Sequence, residues 1–123
     1  MLNPLNSEAG FTPYPNDQKE IDASINAGKR VLEYFPYILN RYGERGKKFT
    51  NSDTAYLVTI TNGDQNYVNE ELDWLGKLLS NRGMPRYLLE IHLQFLFDEL
   101  VKVNPAKRAQ YQKLIIAVEL MNL

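Results

Sequence analysis

Apolar side chains recur at helical spacing through the second half of the chain. Between Asp64 or Gln65 and Arg82 they follow an i, i+3, i+4, i+7 pattern, and Gly83 is a typical C-terminal stop. Only Glu71 is polar on the stripe formed by Tyr67, Val68, Leu72, Leu75, Leu78 and Leu79. The pattern predicts an amphipathic helix with this stripe facing a core.

The segment that follows is apolar around most of its circumference. Pro85 suits the first turn of a helix, and the apolar positions up to Val103 are Leu88, Leu89, Ile91, Leu93, Phe95, Leu96, Phe97, Leu100 and Val101. Such a helix is covered on two or three sides, so we expect it at the centre of the fold. Asn104–Pro105 then predicts the start of a last helix, which runs to about Met121.

The first half of the chain carries shorter helical signals. Asp17 and Glu20 have the spacing of a capping box, and the helix that follows is expected to end or kink at Pro36. A short helix is predicted before the stop at Asn62–Gly63. Its β-branched residues 58–61 would also suit a strand, but no other segment offers a partner strand, so we predict a helix.

These elements predict one domain. Residues 1–16 contain Pro4, Pro13, Pro15 and Gly10 and show no helical or strand period, so we expect an irregular N-terminal arm. Residues 17–123 are expected to form a single helical-bundle domain. The predicted fold class is all-α, a compact bundle of five or six helices.

Composition excludes several classes of function. The 123 residues have a formal net charge of −1, which gives no global positive field for nucleic acid or an anionic membrane. There is no cysteine, so disulfides, thiolate metal sites and cysteine nucleophiles are excluded. No apolar run is long enough to span a membrane, and a cytoplasmic location is expected.

Catalytic and metal motifs are equally scarce. His92 is the only histidine, and no nucleophile elbow or phosphate-binding glycine loop occurs. Glu90 lies two residues from His92, about 200° around a helix, so the two cannot share a metal ion. We predict a non-enzymatic protein with no metal and no cofactor, while Glu71 and Glu90 are the carboxylates that an enzyme would use.

His92 lies in the middle of the most apolar predicted helix and has two interpretations. It is either a core histidine with a ring nitrogen bonded to a neighbouring polar group, or a ligand to a planar cofactor such as a tetrapyrrole.

Aromatic residues suggest an interaction surface. The sequence has 8 tyrosines, which suit half-buried positions and protein interfaces because a polar tip ends an apolar body. Trp74, Tyr37, Tyr67 and Tyr87 are the candidate interface residues, and ordinary packing is the alternative interpretation of each.

Three segments resemble a known family. Tyr42-Gly43-Glu44-Arg45-Gly46, Asp53-Thr54-Ala55-Tyr56-Leu57 and the stretch from Trp74 to Pro85 are similar in order and spacing to a bacterial all-helical regulatory domain. This domain is found alone or beside cobalamin-binding and other sensory modules. The resemblance implies an all-helical fold and a signalling role, and it supplies no catalytic residues. The family pattern has a histidine near position 56, where this chain has a tyrosine. Tyr56, from this resemblance, and His92, from its place in the apolar helix, are the candidate cofactor-binding residues.

The sequence thus predicts a regulatory, signalling or protein-interaction module whose partner is another protein or a second copy in a homodimer. The alternative is a sensor domain that binds a small apolar or tetrapyrrole ligand within the bundle.

Overall fold

The computed structural model describes residues 17–36, 43, 54–81, 83 and 86–121. Within these residues the chain forms five α-helices and no strand, which confirms the predicted all-α bundle. The helices are α1 (Gln18–Tyr34), α2 (residues 54–60), α3 (Gln65–Asn81), α4 (Arg86–Val103) and α5 (Arg108–Met121), with a 3-10 turn at Pro105–Lys107 before α5. The arm predicted over residues 1–16 lies outside the described residues.

Local signals explain most helix ends. Asp17 Oδ1 accepts the Lys19 N–H at 2.9 Å and caps α1, and Asp64 Oδ1 accepts the Tyr67 N–H at 2.8 Å at the start of α3. Helix α1 ends two residues before Pro36, as predicted. Gly83 has a φ of 79°, a left-handed conformation that other residues adopt at a steric cost, so the predicted stop after α3 is confirmed.

Residues 58–60, whose pattern also suits a strand, are helical. The hydroxyl groups of Thr59 and Thr61 donate to the carbonyls of Ala55 and Val58, at 3.1 and 2.7 Å. These bonds let threonine hydroxyls lie within a helical segment by pairing with the backbone of the preceding turn.

The C-terminal end of α2 is held by α5. Lys113 Nζ donates to the carbonyl oxygens of Gly63 and Thr61, at 2.7 and 3.3 Å, and Gln110 Nε2 donates to Thr61 Oγ1 at 3.0 Å. The last carbonyls of α2 are bonded by the N–H groups of residues 61–63, which form a turn. A lysine 50 residues away in the sequence from Gly63 therefore bonds the carbonyls of this turn and ties it to α5.

Helix α4 is the central element, as predicted, and it packs against α1, α3 and α5. The main core joins α2, α3, α4 and α5 to Ala23 and Ala27 of α1. A second, smaller core lies at the C-terminal end of α1 and consists of Val31, Leu32, Phe35 and Leu88, with Ile91 and Phe95 packed against it. The helices that the structure describes include none long and apolar enough to cross a membrane.

Candidate functional site

Four aromatic rings form a continuous row over the smaller core, and we call Tyr87, Phe35, Tyr34 and Phe95 the aromatic row. The ring centroids of Tyr87 and Phe35 are 5.8 Å apart, those of Phe35 and Tyr34 4.9 Å, and those of Tyr34 and Phe95 5.7 Å. The last two pairs are edge to face, the arrangement that the quadrupoles of aromatic rings favour. The row joins the end of α1 to α4 between Tyr87 and Phe95.

Two members of the aromatic row are anchored and two are presented to solvent. Phe35 is buried, whereas Tyr34 is 59% exposed and Tyr87 is 52% exposed. Covering the two tyrosine rings with a partner would remove apolar surface from water, which is favourable. Contacts with the buried Phe35 restrict both tyrosines, so less rotamer entropy is lost when they are covered.

Arg30 extends the aromatic row by one cationic group. Its Cζ lies 4.2 Å from the centroid of the Phe95 ring, and its Nη1 donates to Glu99 Oε2 at 3.0 Å. Glu99 is buried and also pairs with Lys102 at 3.4 Å. The guanidinium is therefore held in one orientation by a cation–π contact and a charge-assisted hydrogen bond.

An open depression lies beside this end of the aromatic row. It has a volume of about 300 Å³ and is lined by Arg30, Glu33, Tyr34 and Phe95. The volume is at the lower end of that of small-molecule pockets, which bury most of their ligand. A depression this open suits a protruding side chain of a protein partner better than an enclosed small molecule.

The structure separates the predicted interface residues. Tyr87 belongs to the aromatic row, whereas Trp74 is partly buried and packs against the main core. Tyr67, on α3, is 44% exposed, and Tyr37 lies outside the described residues. The candidate interface residues named from the sequence did not include Tyr34, Phe95 or Arg30.

Only weak sequence signals mark the residues that were missed. Arg30 and Tyr34 have the i, i+4 spacing of one helix face, and so do Tyr87 with Ile91 and Ile91 with Phe95. Nothing in either spacing shows that the two faces meet.

Tyr67 and Tyr56 both use Glu71. The hydroxyl of Tyr56 donates to Glu71 Oε1. Partial burial, followed by the charge and the hydrogen bond of Glu71, raises the pKa of Tyr67. The hydrogen bond from Tyr56 on α2 explains why the apolar stripe of α3 contains a glutamate.

His92, the other candidate cofactor residue, is 5% exposed. Its Nε2 lies 2.7 Å from Thr54 Oγ1, and the two atoms share a hydrogen bond between α4 and α2. Burial disfavours the imidazolium and lowers the pKa of His92 to about 4. The Tyr56 hydroxyl and His92 Nε2 thus already have partners inside the protein, and the described residues contain no cluster of metal-ligating side chains.

A second polar network joins both ends of the described chain. The Tyr111 hydroxyl donates to Glu20 Oε2 at 2.5 Å, and Asn104 Nδ2 lies 3.2 Å from that hydroxyl and 3.0 Å from Asp17 Oδ2. Burial, together with the hydrogen bond to Glu20, raises the pKa of Tyr111. The hydrogen bond from Asn104, followed by that from the Lys19 N–H, lowers the pKa of Asp17.

Replacing Tyr111 with Phe is expected to destabilise the fold. The variant removes the hydroxyl that hydrogen-bonds the buried Glu20 carboxylate, and an unsatisfied buried acceptor costs about 1–3 kcal/mol. Lys107 Nζ lies 3.8 Å from Glu20 Oε2 and still compensates part of the carboxylate charge in the variant. We therefore expect a loss at the lower end of this range.

Urea unfolding of Tyr111→Phe measures this loss, and Tyr87→Phe is the matched control. The Tyr87 side chain is half-exposed, so the control should change the free energy of unfolding by less than about 0.5 kcal/mol. Equal effects of the two variants would show that the network contributes nothing specific.

Comparison of the chain with protein-family models, with curated protein sequences and with solved structures gives no match.

Proposed function

We propose that this chain is a non-enzymatic protein-interaction module that binds its partner through the surface around the aromatic row. The observation that carries the proposal is the pair of half-exposed tyrosines, Tyr34 and Tyr87, joined through the buried Phe35. Tyrosine and arginine are enriched among the residues that contribute most to binding in protein interfaces. Both residue types lie here beside an open depression.

Preorganisation supports the same function. Arg30 is fixed by Glu99 and Phe95, and Tyr34 is fixed by contacts with two rings. A partner would bind side chains that already hold one conformation, which lowers the entropic cost of association. We further propose a regulatory role, as the resemblance to bacterial helical regulatory domains implies.

Photo-cross-linking tests this function. A benzophenone amino acid placed at Tyr34 or Tyr87, in the full chain in its own cells, is expected to cross-link a protein partner. The same group at Gln112, an exposed position of α5, is the control and is expected to give no product. Equal yields at all three positions, or no product at any, would contradict the proposed function.

A further inference from the structure

The exposed face of α1 beside the aromatic row carries charges of both signs in a defined order. Lys29 and Glu33 are exposed and are four residues apart, so they share one helix face. Arg30 and Glu33 line the same depression. Two cationic positions therefore precede one anionic position by about one helical turn, or roughly 5 Å.

Two copies of this charge pattern are complementary when their helices run in opposite directions. If two copies of α1 pack antiparallel about a two-fold axis located midway between Lys29 and Glu33, Lys29 of each copy faces Glu33 of the other. A uniformly acidic or basic partner would oppose like charges at one of the two positions. A two-fold interface repeats the favourable contact twice, and such dimers are the commonest protein oligomers.

We propose that the surface around the aromatic row binds a second copy of this chain, with α1 of one copy antiparallel to α1 of the other. This inference rests on the proposed function and names its partner. Tyr34 follows Glu33 directly and lies within one turn of the axis, so the dimer covers a side chain that is 59% exposed in the single chain. The formal net charge of −1 per chain opposes this association very little.

Charge exchange at Lys29 and Glu33 tests the arrangement. In Lys29→Glu two glutamates face each other at both symmetric contacts, and in Glu33→Lys the same positions hold two lysines. Each variant alone is expected to dimerise at least about tenfold more weakly than the unaltered chain. An equimolar mixture places lysine opposite glutamate at both contacts, so the heterodimer is expected to form with nearly the original affinity.

The variants leave the remaining contacts in place. Arg30 is not altered, because its ion pair with Glu99 and its stacking on Phe95 hold the fold together. Lys77→Glu is the matched control. Like Lys29, Lys77 is an exposed helical lysine four residues from an acidic side chain, in this case Asp73. This control should leave the dimer unchanged.

Sedimentation velocity over a concentration series, supported by native mass spectrometry, measures the outcome. A chain that is monomeric at every concentration overturns the proposal. So does a dimer that either single variant leaves intact, that Lys77→Glu weakens equally, or that the mixture does not restore. Cross-linking at Tyr34 to a different protein would remove the homodimer and keep the interaction module, whereas a monomer without any cross-link removes both.

Discussion

Replacing Leu93 with Ala is expected to lower the free energy of unfolding by about 2–5 kcal/mol. Leu93 is fully buried in the main core on α4, the helix that packs against α1, α3 and α5. The variant loses the transfer free energy of the removed methyl groups, and it leaves a cavity because three neighbouring helices cannot all move inward. Domains of this size are stable by only about 5–15 kcal/mol, so this is a large fraction of the total.

Urea unfolding of Leu93→Ala measures this loss as a lower midpoint at an unchanged slope. Leu120→Ala is the control, because Leu120 is 49% exposed on α5 and its truncation removes little buried surface. Its free energy of unfolding should change by less than about 0.5 kcal/mol. A similar cost at both positions would contradict the central place of α4 in the core.

The second large effect is a loss of stability in mild acid. Because the pKa of His92 falls from 6.5 to about 4 on folding, the unfolded chain takes up a proton more readily than the folded chain. Stability is therefore complete above pH 6.5 and declines as the pH falls from 6.5 towards 4. Between pH values of about 7.5 and 5 the expected loss is roughly 2 kcal/mol.

His92→Gln tests the assignment. Glutamine keeps an amide that can bond Thr54 but does not titrate, so the dependence on pH between about 7.5 and 5 should largely disappear. His92 is the only histidine, which leaves no second imidazole to titrate in this window. Parallel pH curves for the variant and the unaltered chain would assign the effect to other groups.

Sequence pattern predicted the helices well where the apolar period is regular and a stop signal follows. The bounds of α3 and α4 agree with the prediction within about one residue, because a stripe facing a core and a glycine at positive φ are local requirements. The predicted capping box was only half correct. Asp17 caps α1 as predicted, but the destination of Glu20 is Tyr111, 91 residues away in the sequence.

The candidate site was predictable only in part. Tyr87 was predicted as a candidate interface residue because it is an amphipathic side chain in a chain rich in tyrosine, and the structure places it in the aromatic row. Tyr34, Phe95 and Arg30 were missed, because their significance depends on two rings and a guanidinium from separate helices lying within 6 Å. The residue spacing within one helix does not indicate how far its side chains lie from those of another helix.

By itself, the sequence determined the all-α class, the helices with a regular apolar period and the central position of α4, because helical period, glycine and proline act over a few residues. Only the tertiary structure decided which side chains meet: His92 with Thr54, Lys113 with the end of α2, and Tyr34 with Phe95. The physical reason is that these contacts depend on how whole helices pack, and packing is set by the combined shape of many side chains rather than by any one segment.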